Sequence, residues 1–300
     1  MLGAFLHALQ TAAGRDKRIW LLTSSPSALS LEPFTERFPD RHLSGFASEQ
    51  TAIGVAAGMA KGGNVCVVCS SPPAAIRCLE QIHDDVCDHD LDVKLFVDGP
   101  SGQDLAVLRS MPRMAVAVPA DPLEAASIVE HVLATPGPAY VRLDSSLGRP
   151  VHRKPLDANP GELLFVREGS DVTLAACGSG LALVLEAARE LSLLGIEATV
   201  ASVPWISPMS LNSASALAAN GRIVAVEEHG SGGLFSALAE ALAETETYAL
   251  LRSVRLPQLS ASSAGSWSYA GSGVRLATEA IVEKARSMVC GLDWAIPRAS

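Results

Sequence analysis

No run of eighteen apolar residues occurs anywhere in the sequence, which excludes a membrane-spanning helix. GxGxxG after a strand-like run, the Walker loop, HExxH and GxSxG are all missing, and with them the short signatures of several common cofactor and hydrolase chemistries. Positive charge is scarce: 23 Lys and Arg stand against 32 Asp and Glu, a net charge of −9. That balance argues against nucleic acid or an anionic membrane as the main partner. The start, MLGAFLHALQTAAGRDKR, lacks the basic region of a signal peptide. Leu2, Phe5, Leu6 and Leu9 follow helical spacing there, so the segment reads as an amphipathic helix. The seven histidines do not cluster with cysteines or carboxylates at metal spacing. HDDVCDHD (83–90) comes nearest. On a helix it places His83 and Cys87 on one face and Asp84 and Asp88 on the next, and a solvated helix end is the plain reading.

What is present is 300 residues, 48% hydrophobic and 18% charged, as expected of a soluble globular protein of two domains. Cys66, Cys69, Cys78, Cys87, Cys177 and Cys290 are scattered through apolar or helical segments. Cys66 and Cys69 have CxxC spacing but lie in the strand-like run NVCVVCS. Residues three apart in a strand point to opposite faces, so they read as buried core thiols, consistent with a reducing cytoplasm.

The chain alternates. Apolar runs at Ile19–Leu22, Val65–Val68, Val93–Val97, Ala115–Val118 and Ala139–Leu143 are separated by helical stretches such as 49–61, 73–87 and 121–134. Strands buried on both faces and separated by helices predict a parallel sheet with crossover connections. Residues 144–170 break the rhythm with Gly148, Pro150, Pro155, Pro160 and Gly161 and read as a surface linker. A second alternating unit follows. Its expected elements are a strand at 171–178, a helix from Ser179-Gly180 through Leu194, a strand at 197–203, a helix near 211–219, a strand at 222–227 and a helix from about 233 to 244. The expectation is an α/β protein of two three-layer domains with mostly parallel sheets, at 1–144 and 171–290. A linker spans 145–170 and a loose tail 291–300.

Residues 47–63, ASEQTAIGVAAGMAKGG, form an Ala- and Gly-rich helix that begins with a carboxylate, Glu49. An acidic residue there interacts favourably with the helix dipole. The surrounding segment FPDRHLSGFASEQTAIGVAAGMA (38–60) resembles the C-terminal half of the transketolase family. IRCLEQIHDDV (76–86), LRSMPRMAVAVPADPLEA (108–125), GPAYVRLD (137–144) and IVAVEEHGSGGLFSALAE (223–240) continue the resemblance in the family's order, across residues 1 to 285. It implies a pyrimidine-binding domain followed by a transketolase C-terminal-like domain. By the same resemblance, Glu49 hydrogen-bonds the N1′ atom of thiamine diphosphate and favours the imino tautomer that takes the proton from thiazolium C2. Burial in a tight apolar interface raises the carboxyl pKa and suits that role. Phe46, Ser25 and Pro73 are the candidates at the cofactor and Asp98, Arg149 and His229 those at the substrate, although the resemblance places the EEHGSGGL stretch at a subunit contact more than in the chemistry.

The GDG…N motif that holds the diphosphate and Mg2+ in this family is absent from the 300 residues. The resemblance therefore implies a separate pyrophosphate-binding subunit and dimerisation through the 49–60 helix, with no metal ligand in this chain. Other positions depart from the family pattern. CSSPPAAIR (69–77) has no aromatic to stack on the pyrimidine, leaving Pro72 or Pro73. Ser24 or Ser25 replaces an acidic residue. FVDGPSGQDLAVLR (96–109) is shortened and lacks the family's catalytic His, and Ser145 stands where an Arg binds substrate phosphate, with Arg149 nearby. Two functions stay open. One is the C-terminal subunit of a two-component transferase that moves a two-carbon ketol or acyl unit to an unusual acceptor in a biosynthetic pathway. The other is a degenerate subunit kept for assembly or regulation.

Overall fold

In the computed structural model, residues 1–23, 31–99, 102–143, 150–256 and 276–291 are described. The elements of the first part, in chain order, are α1 (Leu2–Arg15), β1 (Ile19–Thr23), α2 (Glu32–Arg37), β2 (His42–Ser44), α3 (Glu49–Lys61), β3 (Val65–Ser70) and α4 (Pro72–Arg77). A π-helical segment at Gln81–Cys87 leads to β4 (Val93–Asp98), α5 (Asp104–Leu108), β5 (Ala115–Ala117), α6 (Pro122–Ala134) and β6 (Ala139–Leu143). Then come β7 (Leu164–Arg167), β8 (Val172–Ala176), α7 (Gly180–Leu193), β9 (Ala198–Ser202), β10 (Trp205–Ser207) and α8 (Leu211–Leu217). The last elements are β11 (Arg222–Glu227), α9 (Leu234–Ala243), β12 (Leu250–Arg255) and α10 (Thr278–Cys290).

The apolar runs become central strands because they are buried on both faces. A seven-stranded sheet has the order β10-β5-β6-β4-β3-β1-β2, and a five-stranded sheet the order β12-β11-β8-β9-β7. Among the described residues, all pairings are parallel except β10 on β5 and β7 on β9. This is the expected α/β architecture with mostly parallel sheets. Phe5 and Leu9 of α1 pack with Ile128 and Val129 of α6 on one face of the first sheet. Ile53 and Ala56 of α3 pack on the other. Cys66 belongs to the second of these clusters and Cys69 to the first, so strand alternation separates the CxxC pair. Burial drives the Cys66 thiol pKa up to about 12.

Three local features differ from the sequence reading. Strand β7 lies inside the stretch read as a linker, and β10, from the second half of the chain, completes the edge of the first sheet. Val118 joins the two sheets: its N–H donates to Pro204 O at 2.7 Å, and its carbonyl accepts from Gly178 N at 3.0 Å. The stretch expected as one helix over 73–87 is split into α4 and the π-helical segment. There residues i and i+5 align, as in Asp88 N donating to His83 O at 2.9 Å. His83 accordingly faces solvent beside Asp84 and Asp88 while Cys87 is buried, so His83 and Cys87 do not share a face.

Candidate active site

Ser48 caps α3, its Oγ accepting from Thr51 N at 3.2 Å, and this sets Glu49 in the first helical turn. Arg77, the last residue of α4, reaches back to Glu49: Nη2 donates to Oε1 at 3.0 Å. Gln50 Nε2 donates in turn to the Arg77 carbonyl at 3.3 Å. The Glu49 side chain is 26% exposed and that of Arg77 55%, so within this one chain the carboxylate is not in a sealed apolar pocket.

Phe46 is half-buried against the α3 face of the core. Pro73 is exposed in the first turn of α4, behind the buried Pro72. Asp98 ends β4 opposite Leu143 of β6, and Gly99 N donates to Leu143 O at 3.0 Å. Pro73 follows the carboxyl end of β3 and Asp98 forms that of β4, the rim where open α/β sheets form ligand sites. Thr23, at the end of β1, is tied to His42 at 2.9 Å between Oγ1 and Nε2. Ser25 and Arg149 lie outside the described residues.

His229 sits elsewhere. It is fully buried where the β11–α9 turn meets α5, with no open face for a substrate. Its Nε2 lies 3.5 Å from Asp104 Oδ1. Asp104 also accepts from Tyr140 Oη at 2.6 Å and Arg142 Nη1 at 3.1 Å, and Arg142 Nη2 donates to the Glu228 carbonyl at 3.3 Å. Burial works to raise the Asp104 pKa, but Arg142, followed by His229 and Tyr140, overcomes it and holds the carboxyl below its usual range. The same burial and the Asp104 charge push the Tyr140 hydroxyl well above its ordinary value.

The α9 cap is supplied by Glu227 rather than His229. Its carboxylate accepts from Leu234 N at 2.6 Å and Phe235 N at 3.1 Å, and a Cβ on Gly233 would come within 2.0 Å of Glu227 Oε2. Gly232, with φ of +96°, passes so close to α5 that a Cβ would meet Ala106 Cβ at 2.3 Å. The EEHGSGGL glycines therefore permit a close contact between turn and helix, and Asp104, Tyr140 and Arg142 lock it electrostatically. Sequence reasoning missed those three. Their one visible signal is Arg142, a charge within the apolar run AYVRL.

Among the described residues, the group able to offer three metal ligands is His83, Asp84 and Asp88, solvent-facing on the π-helical segment. No helix there is long and apolar enough to cross a membrane.

Comparison with known proteins agrees with the α/β architecture. Residues 161–266 match the family model for the transketolase C-terminal domain. A subunit of the apulose-4-phosphate transketolase of Actinobacillus succinogenes is 34% identical over 239 residues, covering 75% of this chain and 77% of that protein. The 1-deoxy-D-xylulose-5-phosphate synthase of Dictyoglomus turgidum is 32% identical over 252 residues, 79% of this chain but only 41% of the synthase. Among solved structures, a split-gene transketolase described as an inactive beta4 tetramer superposes with a TM-score of 0.87 at 28% identity, covering 96% of this chain and 97% of that one. The transketolase of Campylobacter jejuni shares the fold, with a TM-score of 0.74 at 16% identity over 95% of this chain and 46% of that one. On the extent of its identity to the apulose-4-phosphate transketolase polypeptide and its end-to-end superposition on a split-gene relative, the chain belongs to the transketolase family.

Proposed function

We propose that this chain is the C-terminal subunit of a two-component, thiamine-diphosphate-dependent transferase that moves a two-carbon ketol or acyl unit to an acceptor. The observation that carries the reading is Glu49: a capped, part-exposed carboxylate in the first turn of a close-packing helix, within a chain of this family. The residues present fit one half of the cofactor. A carboxyl that can hold a proton matches a ring nitrogen of the aminopyrimidine, and apolar surface is offered by Phe46, three residues before Glu49, and by Pro73, in the helix whose Arg77 pairs with Glu49. The other half does not fit. A diphosphate with Mg2+ needs clustered oxygen ligands and donors, and the described candidate group is the solvent-facing set on the π-helical segment. A partner subunit of the transketolase N-terminal type supplies that half.

When bound, thiamine diphosphate would supply an acidic C2–H whose conjugate base is the nucleophile toward a donor carbonyl. Glu49 would hold the proton at the ring nitrogen. Asp98, at the carboxyl end of β4, is available to the substrate. The connection from Asp98 to Asp104 is short in sequence, and this favours a bulky acceptor from a biosynthetic pathway.

A second reading, a non-catalytic assembly subunit, is favoured by the absence of an aromatic in 69–77 and of a histidine in 96–109. Calorimetry separates the two. On the first reading, thiamine diphosphate with Mg2+ binds tightly to the complex with the pyrophosphate-binding subunit and weakly to this chain alone. Tight binding to the isolated chain, or none to the complex, contradicts it.

A further inference from the structure

Strand β12 ends the five-stranded sheet, paired in parallel with β11 from Arg222 opposite Leu250 to Glu227 opposite Arg255. Among the described residues, no strand pairs with its other edge. Leu250 N donates to Gly221 O at 2.9 Å, on the β11 side. Backbone groups alternate in direction along a strand, so Leu251, Ser253 and Arg255 turn their N–H and C=O groups to the free edge. Such an edge is a template for another chain, and proteins commonly blunt it with charge. Arg252 does part of that, its Nη1 donating to Leu251 O at 3.0 Å. Protection alone does not account for the apolar surface beside it. Leu250 is 38% exposed on the face where Val254 packs towards α10, and Tyr248, two residues earlier, is 93% exposed. A groove of about 640 Å³ runs between β12 and α10, lined in part by Ser253, Val254, Arg255, Glu283, Lys284 and Arg286. Three of these six are cations and one is an acid, in a protein whose net charge is −9.

We propose that the free edge of β12 and the groove beside it are a docking surface for an extended, acidic segment of a partner protein, which joins the sheet as a further strand. The main-chain groups of Ser253 and Arg255 pair with the segment, and alternate side chains decide which segment fits. Tyr248 and Leu250 give it apolar cover at one end. Arg252, Arg255, Lys284 and Arg286 select carboxylates along the rest. Arg255 is already steadied for this, its guanidinium carbon 5.4 Å from the centre of the Phe235 ring. A second copy of this chain does not fit. A twofold contact sets one patch against itself, and the same four cations would then crowd together. The surface uses no residue of the proposed cofactor site, so it stands or falls apart from that reading.

The probes are three synthetic octapeptides, of alternating Val and Glu, alternating Pro and Glu, and alternating Val and Lys. The first two carry equal charge, but proline lacks the N–H that a paired strand needs. Each is titrated into the full-length chain at low salt by fluorescence anisotropy, and backbone amides are followed by hydrogen exchange. The Val-Glu peptide should bind at least about tenfold more tightly than either of the others, and added salt should weaken it. It should also slow exchange at the N–H groups of Ser253 and Arg255. Reversing charge with Lys284→Glu and Arg286→Glu together should weaken binding by about tenfold, at an unchanged melting temperature. The Val-Lys comparison reads the same selectivity on the unaltered protein. No binding of the Val-Glu peptide overturns the proposal. Equal binding of the Pro-Glu peptide overturns it too, leaving a surface that attracts anions without strand pairing. So does protection that appears at another edge strand and not at β12. Light scattering completes the test: a homo-oligomer of the wild-type chain that Leu250→Arg dissociates would put a second copy on this edge and overturn the assignment.

Discussion

Two acidic residues at helix starts have opposite fates. Glu49 is part-exposed and paired with an arginine from the next helix; Asp104 is fully buried and holds Arg142 and Tyr140. Glu49 was legible in the sequence because its neighbours form a motif. Asp104 was not, because its partners lie 36 and 38 residues away and become neighbours only when β4 and β6 pair. The lock makes a clear demand. Asp104→Asn leaves the Arg142 guanidinium buried without its counter-charge and should lower unfolding free energy by about 3–5 kcal/mol in urea denaturation. Tyr140→Phe removes one hydrogen bond and should cost about 1 kcal/mol. Because the folded Asp104 pKa is depressed below its ordinary 3.8, its stabilisation is present above that value and is lost as pH falls below it. A wild-type chain equally stable at pH 7 and pH 2 would contradict this assignment.

At the scale of elements, alternation of apolar runs and helical stretches made the central strands readable, since strands buried on both faces are continuous apolar runs. The edge strands β7 and β10 were not readable. They are short, and each is defined by the strand it pairs with rather than by its own pattern. The π-helical segment escaped for a related reason: residue pattern alone does not distinguish i→i+4 from i→i+5 bonding. The start of α6 carries a pH-sensitive tie. Asp121 caps the helix through Leu123 N at 2.9 Å and Glu124 N at 3.1 Å, and its other oxygen accepts from His152 N at 2.8 Å and contacts His152 Nδ1 at 3.0 Å. The hydrogen bond to Asp121 raises the His152 pKa, against burial and with help from Glu124. The stabilisation is therefore complete below the ordinary value of 6.5 and is lost as pH rises through the folded value. Urea denaturation from about pH 6 to about pH 9 should show wild type losing more stability than His152→Gln. Parallel losses in the two proteins would remove His152 from the account.

For the whole molecule, the two sheets share one core, in which Val116 and Tyr140 of the first cluster with Ala175 and Ala201 of the second and with Leu234 of α9. The exposed side of α3 is different. Gly54 and Gly58 meet no atoms within 4 Å of an added Cβ, and Val55 beside them is 37% exposed. In our reading this face is covered by another subunit. Gly58→Leu should leave the melting temperature of the isolated chain unchanged or slightly higher, since glycine is a poor helix residue, while light scattering shows weakened assembly. Unimpaired assembly would place the interface elsewhere. The central claim is that Glu49 handles the proton that activates the cofactor in the assembled enzyme. Exchange of the C2 proton of bound thiamine diphosphate, followed by proton NMR in the complex, tests it without requiring the substrates. Glu49→Gln fills the same space but cannot share the proton in the same way, and should slow exchange by about 10²–10⁴-fold with cofactor affinity little changed. Equal exchange in wild type and Glu49→Gln would contradict the account and leave Glu49 a charge at the start of a helix.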